Sequence, residues 1–387
     1  MINITAIQEL PVRLQGNITN AVVDFSQHDV SLVAVTANRD GELTTGFGFN
    51  SIGRFAQSGI LKSRIIPRIL AARPETLLSP DQQTLDPGAL VSVAMQNEKP
   101  GGHGDRAGAV AALELAIWDL NAKLANEPAY LTIARAAGKT VSDPAVLTYA
   151  AGGYYYDGDY QGLEHELTHY KRLGFERCKI KIGGTTLSED LARFEVAANV
   201  MGASSLVAVD ANGRFDQTIA MDYLRALEKQ PPAWLEEPVD PLAYFAMHNL
   251  IAATDIPIAT GENLFSFADS ANLLQFAGMR KGKDLFQMDA GLSYGLTEYM
   301  KIIELLIQWG HNLNQLIPHG GHLVNLHIVA GLGLGGCEAY PGVFQPFGGF
   351  SPACEMIRGR VRPSSAPGFG LEEKPELVPF LKQVLAS

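Results

Sequence analysis

From about residue 146 onward, short apolar runs alternate with amphipathic stretches, and the apolar runs end on ionisable residues. LVAVDAN at 206–212 shows the form: apolar residues lead into Asp210 and Asn212, as in a buried parallel strand whose carboxyl end meets a polar mouth. RCKIKIG ends on Lys181, AWLEEP carries Glu236, IPIATGEN carries Glu262, LFQMDA carries Asp289 and LNQLIPHGGH carries His319. From 181 through 210, 236, 262 and 289 to 319, the steps are 29, 26, 26, 27 and 30 residues. Each is about one strand, one helix and two loops. The period predicts a βα barrel, whose strand ends converge on a single mouth. An open doubly wound sheet is the alternative, but it would gather only a few of these ends at a switch point, and no glycine-rich phosphate loop is present. VLTYAAGGYYY supplies the first strand, with at least one of the tyrosines at 154–156 lining the cleft, and GLGLGGCEAYPG supplies the last, ending near Glu338.

Before the barrel the pattern is α+β. Residues 2–12 and 30–37 alternate as strands, and 44–49 pairs with the second through a turn at 38–41. The polar stretches 15–26, with Asn17, Asn20 and Asp24, and 50–54 are loops of the kind that solvate a turn or form a catalytic lid. Residues 108–124 are apolar nearly all round apart from Glu114 and Asp119, which predicts a buried helix. Ahead of it, NEKPGGHGDRAG sets Lys99, His103 and Arg106 among glycines, either as solvated charges or as groups reaching into a neighbouring cleft. The division expected is a capping domain over 1–135, a barrel over 136–359, and a tail over 360–387 that packs back on the cap.

Composition narrows the function classes. The 387 residues are 47% hydrophobic and 18% charged, as in a folded soluble protein. A net charge of -11 argues against a nucleic-acid partner, which needs a basic face. Cys178, Cys337 and Cys354 are too scattered for a disulfide framework, and no apolar run is long enough to span a bilayer. A cytoplasmic protein without a membrane partner is expected.

The strand ends carry candidate chemistry. Asp210, Glu236 and Glu262 on three successive strands offer hard oxygen ligands and no sulfur, a set that favours magnesium. Asn212, two residues past Asp210, is a cleft contact. Lys179 and Lys181 share one strand face, and two neighbouring ammonium groups depress each other's pKa. Lys181, nearer the mouth, is then the base, and Lys179 tunes it. Across the mouth, Asp289 accepts a hydrogen bond from His319 and fixes its tautomer.

Together the KIK at 179–181, the acids of VDAN, LEEP and GEN, the aspartate of QMDA and the HGGH resemble the mandelate racemase branch of the enolase superfamily. The resemblance covers the whole chain. It implies a modified TIM barrel, (β/α)7β, with an N-terminal α+β capping domain, a Mg2+ cofactor, and removal of a proton α to a carboxylate. NEKPGGHG, YAAGGYYY, DANGRF, ATGENLFS, LSYGL, IPHGGH and AGLGLGG are similar to segments of dehydratases in that branch. They imply a hydro-lyase acting on a small hydroxy-diacid, D-tartrate, to give oxaloacetate. The lysine at this position in the family faces an S-configured α-carbon, and D-tartrate is S at both centres.

Carried over by residue, Lys181 is the base, His319 with Asp289 the acid, and Lys179 a further catalytic group; Asp210, Glu236 and Glu262 hold the metal. Asn20, Lys99, Tyr155, Asn212 and Glu338 bind substrate beside Lys181 and His319. Relatives imply a homo-oligomer. Ile52 stands where the resemblance leads us to expect a polar residue. Another aldaric or aldonic acid, or a racemase or epimerase with the same Lys/His pair, therefore remains an alternative. A metal-binding protein without catalysis would lack a base, an acid or a ligand, and none is missing.

Overall fold

The computed structural model describes residues 2–16, 18–155 and 160–387; Asn17 and Tyr156 lie outside the described residues. At the start of the chain β1 (Ile2–Arg13), β2 (Asp29–Arg39) and β3 (Glu42–Phe49) form an antiparallel sheet in that order. The β2–β3 turn closes on Gly41 at φ 99°, whose N–H is accepted by the Asn38 side chain.

The helix Asp105–Leu124 lies directly on this sheet and is buried for most of its length. Contact is so close that a Cβ at Gly46 would sit 2.2 Å from the carbonyl oxygen of Ala116, and one at Gly48 2.4 Å from that of Ala112. The two acidic exceptions on the helix tie the cap to its surroundings. Glu114 accepts from the Trp118 Nε1–H and from the N–H groups of Leu296 and Thr297, at the start of a barrel helix. Asp119 accepts from the N–H groups of Phe47 and Phe369 and pairs with Lys123.

In the barrel, β4 (Val146–Ala151), β5 (Cys178–Lys181), β6 (Val207–Asp210), β7 (Leu235–Glu236), β8 (Ile258–Thr260) and β9 (Leu285–Phe286) pair in parallel, each with the next. Leu316 bridges in parallel to Phe286, and Gly335 N–H donates to the Leu316 carbonyl. β10 (Cys337–Ala339) returns to pair with β4, Cys337 opposite Thr148, and closes the ring. Among the described residues the intervening helices are Tyr160–Arg172, Leu187–Met201, Gln217–Leu227, Tyr244–Ala253, Phe267–Phe276, Leu296–Gln308 and Leu323–Leu332. This is the expected (β/α)7β barrel beside an N-terminal strand domain.

Ile180, Val207, Val209, Leu235, Ile258 and Phe286 belong to the main apolar core, and strand alternation sets them on the face opposite Lys181, Asp210 and Glu236, toward the helices. Burying each contributes about 1.5–3 kcal/mol. A hairpin of β11 (Glu355–Ile357) and β12 (Arg360–Arg362) pairs antiparallel with β4. The tail from 360 is therefore shared: its first residues join the barrel sheet, and the helix Val378–Val384 packs on β1 and β2. Gln8 there donates to the carbonyls of Leu385 and Ser387. No helix among the described residues is long and apolar enough to cross a membrane.

Candidate active site

Strand register brings the ionisable ends to one level. Lys181 pairs with Asp210, and Asp210 with Glu236, so three successive strands present charged side chains in one row. Lys181 opens on a cavity of about 410 Å³, roofed by Asn20, Val22, Val23, Phe25, Ile52 and Arg54 of the cap, with Asp210 and Glu236 buried behind it.

On one flank lie the lysines. Lys179 Nζ bonds to Glu236, lies 2.8 Å from Glu338 Oε1 and 3.7 Å from Asp210 Oδ2; Lys181 Nζ bonds to Asp210. Burial disfavours the Lys179 ammonium, but Glu236, Glu338 and Asp210 outweigh it and raise its pKa well above the usual lysine range. The depression expected from two adjacent lysines is thus overturned for Lys179. Burial likewise pushes against the Asp210 charge, yet both lysines bring it down to about 2.

The opposite flank is the histidine. His319 Nδ1 is 3.1 Å from Asp289 Oδ2, and its Nε2 lies 3.2 Å from the Tyr340 hydroxyl and 3.9 Å from Glu262 Oε2. Burial opposes the imidazolium, but Glu262, Asp289 and Glu338 raise its pKa to about 9. Asn325 Nδ2 holds the turn by donating to Asp289 Oδ1 and to the Gly320 carbonyl.

Of the residues expected from sequence, Asn20, Lys179, Lys181, Asn212, Glu262, His319 and Glu338 line the cavity, while Asp210, Glu236 and Asp289 are fully buried behind it. Lys99 is exposed and does not line the cavity; the loop turns back on itself as Arg106 donates to the Lys99 carbonyl. Tyr155 also points elsewhere, donating to Asp190 Oδ1; of Tyr154 and Tyr155 it is Tyr154 that lines the cavity.

Among the described residues no three His, Cys, Asp or Glu side chains stand in a ligating group. The expected Asp210, Glu236 and Glu262 lie near enough to act on one another's charge, but they are not set in a ligating arrangement, and Lys179 and Lys181 bond to carboxylate oxygens of the first two. The donor chemistry still fits a hard divalent ion. Burial, together with Asp210, Glu262 and Glu338, pushes Glu236 up to about 8 even beside Lys179, and burial with the same crowding raises Glu237, whose Oε1 is buried without a partner. Carboxylates forced together in this way are the kind of set that a divalent cation relieves.

Several contacts were not expected. Trp234 and Gln287 both donate to Glu236 Oε2, at 2.9 and 2.7 Å, and fix its orientation. Tyr340 donates to Glu338 Oε2 at 3.0 Å; the two residues are two apart, so strand alternation could have found it. Ser51 ties the 50–54 loop to the barrel through its N–H to the Gly291 carbonyl and its Oγ, 3.0 Å from His322 Nε2. No local signal marks that contact.

Comparison with known proteins gives concordant results. An arabinonate dehydratase of Saccharolobus solfataricus is 29% identical over 229 residues, covering 58% of each chain; the match therefore spans little more than half of that relative. An L-talarate/galactarate dehydratase of Salmonella typhimurium is 28% identical over 301 residues, 77% of this chain and 70% of the relative. The structure of L-talarate dehydratase from Polaromonas sp. JS666, complexed with Mg and L-glucarate, superposes with a TM-score of 0.78 at 23% identity over 100% of this chain and 97% of that one. A racemase from Streptomyces coelicolor with bound magnesium gives 0.77 at 20% identity over 99% of both chains. The model of the enolase C-terminal domain-like family matches residues 163–377, more than half the sequence, and the chain belongs to that family.

Proposed function

We propose that this protein is a magnesium-dependent acid-sugar dehydratase and that its substrate is D-tartrate, converted to oxaloacetate and water. The observation that carries the reading is the placement of Lys181 and an Asp289-backed His319 on one cavity. Dehydration of a hydroxy acid needs a base for the α-proton and an acid for a poor leaving group. The resemblance of NEKPGGHG, DANGRF and IPHGGH to segments of D-tartrate dehydratase supports the narrower substrate.

In this reading Lys181 Nζ, released from Asp210, takes the C2 proton. The electron pair left at C2 forms a double bond to C3 as the C3 hydroxyl departs, and His319 Nε2 gives that hydroxyl the proton that makes it water. The resulting enol ketonises to oxaloacetate. Asp289 keeps Nδ1 occupied, so that Nε2 is the atom presented to substrate. Magnesium held by Asp210, Glu236 and Glu262 would supply the positive charge that makes a carboxylate's α-proton removable. Lys179 and Glu338, bonded to each other, position the substrate carboxylate.

A longer acid sugar is a second reading. The cavity of about 410 Å³ is within the range of sites for larger ligands, and Ile52 in its wall does not offer a short diacid a polar contact. The test incubates magnesium-loaded protein with D-tartrate, its stereoisomers, galactarate and arabinonate in D2O, following keto-acid formation and deuterium uptake by NMR. Oxaloacetate from D-tartrate, lost about 10³-fold in Lys181→Ala, supports the proposal. Turnover confined to the longer acids replaces the substrate, and exchange without water loss favours a racemase and sinks the dehydratase.

A further inference from the structure

The cap places one cation on the cavity wall that the proposed chemistry does not use. Arg54 lines the cavity next to Gly53, where an added Cβ would lie 4.0 Å from His319 Cε1. Its backbone is fixed: the Arg54 carbonyl is 2.9 Å from His28 Nε2 and accepts from Asn50 Nδ2 at 3.0 Å, both side chains being buried. Ser51 anchors the same loop to the barrel. This loop is therefore a fixed bracket for the arginine and not a free flap.

The guanidinium itself is half-buried and has neutral partners. It donates to the Gly53 carbonyl at 2.8 Å and to Asn263 Oδ1 at 2.7 Å, and lies 4.8 Å from the centre of the Phe265 ring. Among the described residues no carboxylate pairs with it. The nearby cations differ in this respect, since Arg64, Arg68 and Arg106 all bond to Glu98. Asp240, Glu262 and Glu338 also line the cavity, but none of them forms an ion pair with Arg54. A planar five-donor cation, held in place on a ligand cavity without a counterion, is suited to a carboxylate.

We propose that Arg54 binds the second carboxylate of the substrate and makes the site selective for diacids over monoacids. The inference rests on the reading above only in that the first carboxylate lies at the Lys179 and Glu338 end. Asn263 orients the fork: its Oδ1 accepts from Arg54 while its Nδ2 donates to Glu237 at 2.8 Å, so the amide cannot turn over without losing both bonds. Phe265 covers one face of the guanidinium.

The test is equilibrium binding of succinate and butyrate, which share a chain length, differ in one carboxylate and carry no leaving group. Calorimetry on the magnesium-saturated protein reads their affinities for wild type, Arg54→Gln and Arg54→Lys. Wild type is expected to prefer succinate by about 30-fold. Arg54→Gln brings the ratio within about fivefold, and Arg54→Lys falls between, keeping charge without the fork. An unchanged preference in Arg54→Gln overturns the proposal, as does a wild type that fails to prefer or to bind succinate. Because no turnover is required, absence of keto-acid product from every acid would refute the dehydratase reading while leaving this result intact. For an active enzyme, the same substitution should raise KM for diacids.

Discussion

Replacing Glu114 by alanine tests whether the cap is joined to the barrel by a few buried polar contacts. Glu114 is fully buried and accepts from Trp118 Nε1–H at 2.8 Å, Leu296 N–H at 2.8 Å and Thr297 N–H at 2.9 Å. The last two belong to the first turn of the helix Leu296–Gln308, whose N–H groups have no other intrahelical partner. Each buried donor left unpaired costs about 1–3 kcal/mol. Against this, burial raises the Glu114 pKa, so the ionised carboxylate is itself held at a desolvation cost that the variant no longer carries. The balance is a loss of about 4 kcal/mol for Glu114→Ala and about 2 kcal/mol for Glu114→Gln, which keeps one acceptor. Urea unfolding followed by circular dichroism measures the stability, and hydrogen exchange of peptides covering 290–300 localises the loss to the Leu296 and Thr297 amides. If Glu114→Ala stays within about 1 kcal/mol of wild type and those amides remain protected, the contact does not hold the two parts together.

Gly46→Ala should destabilise by about 2–4 kcal/mol in the same unfolding assay, because its Cβ would meet the Ala116 carbonyl at 2.2 Å and the helix backbone must move. Burial lowers His327 from 6.5 to about 3, so the folded protein holds the ring neutral while the unfolded chain takes up a proton below pH 6.5. Stability is then level above pH 6.5 and falls toward pH 3 by about 1.4 kcal/mol per unit from this group, a slope that His327→Asn should remove from the difference between the two unfolding profiles. Calorimetric titration with magnesium alone should show binding that chelation reverses, and both Asp210→Asn and Glu262→Gln should weaken it at least about tenfold; binding unaffected by either exchange would remove these residues as ligands.

Which parts could be read in advance follows from how far apart the determining residues lie in the chain. A barrel strand repeats at nearly constant spacing, so Lys181, Asp210, Glu236, Glu262, Asp289 and His319 announce their common level by period alone, and register places Lys181, Asp210 and Glu236 side by side. Cap loops have no such period. Lys99 and Arg54 both stand in polar, glycine-containing loops, yet Lys99 faces solvent and Arg54 faces the cavity. The difference is made by His28, Asn50 and Ser51, whose partners include groups up to 271 residues away. The Lys179 shift follows the same logic. Local sequence shows only another lysine two residues on, which predicts depression, whereas the carboxylates that raise it come from β7 and β10, 57 residues away in the case of Glu236. Adjacent strands of a parallel barrel are separated by a crossover of a dozen or more residues, usually a helix. The sign of such a shift is therefore set by residues that no short motif contains, even when the motif correctly marks the strand.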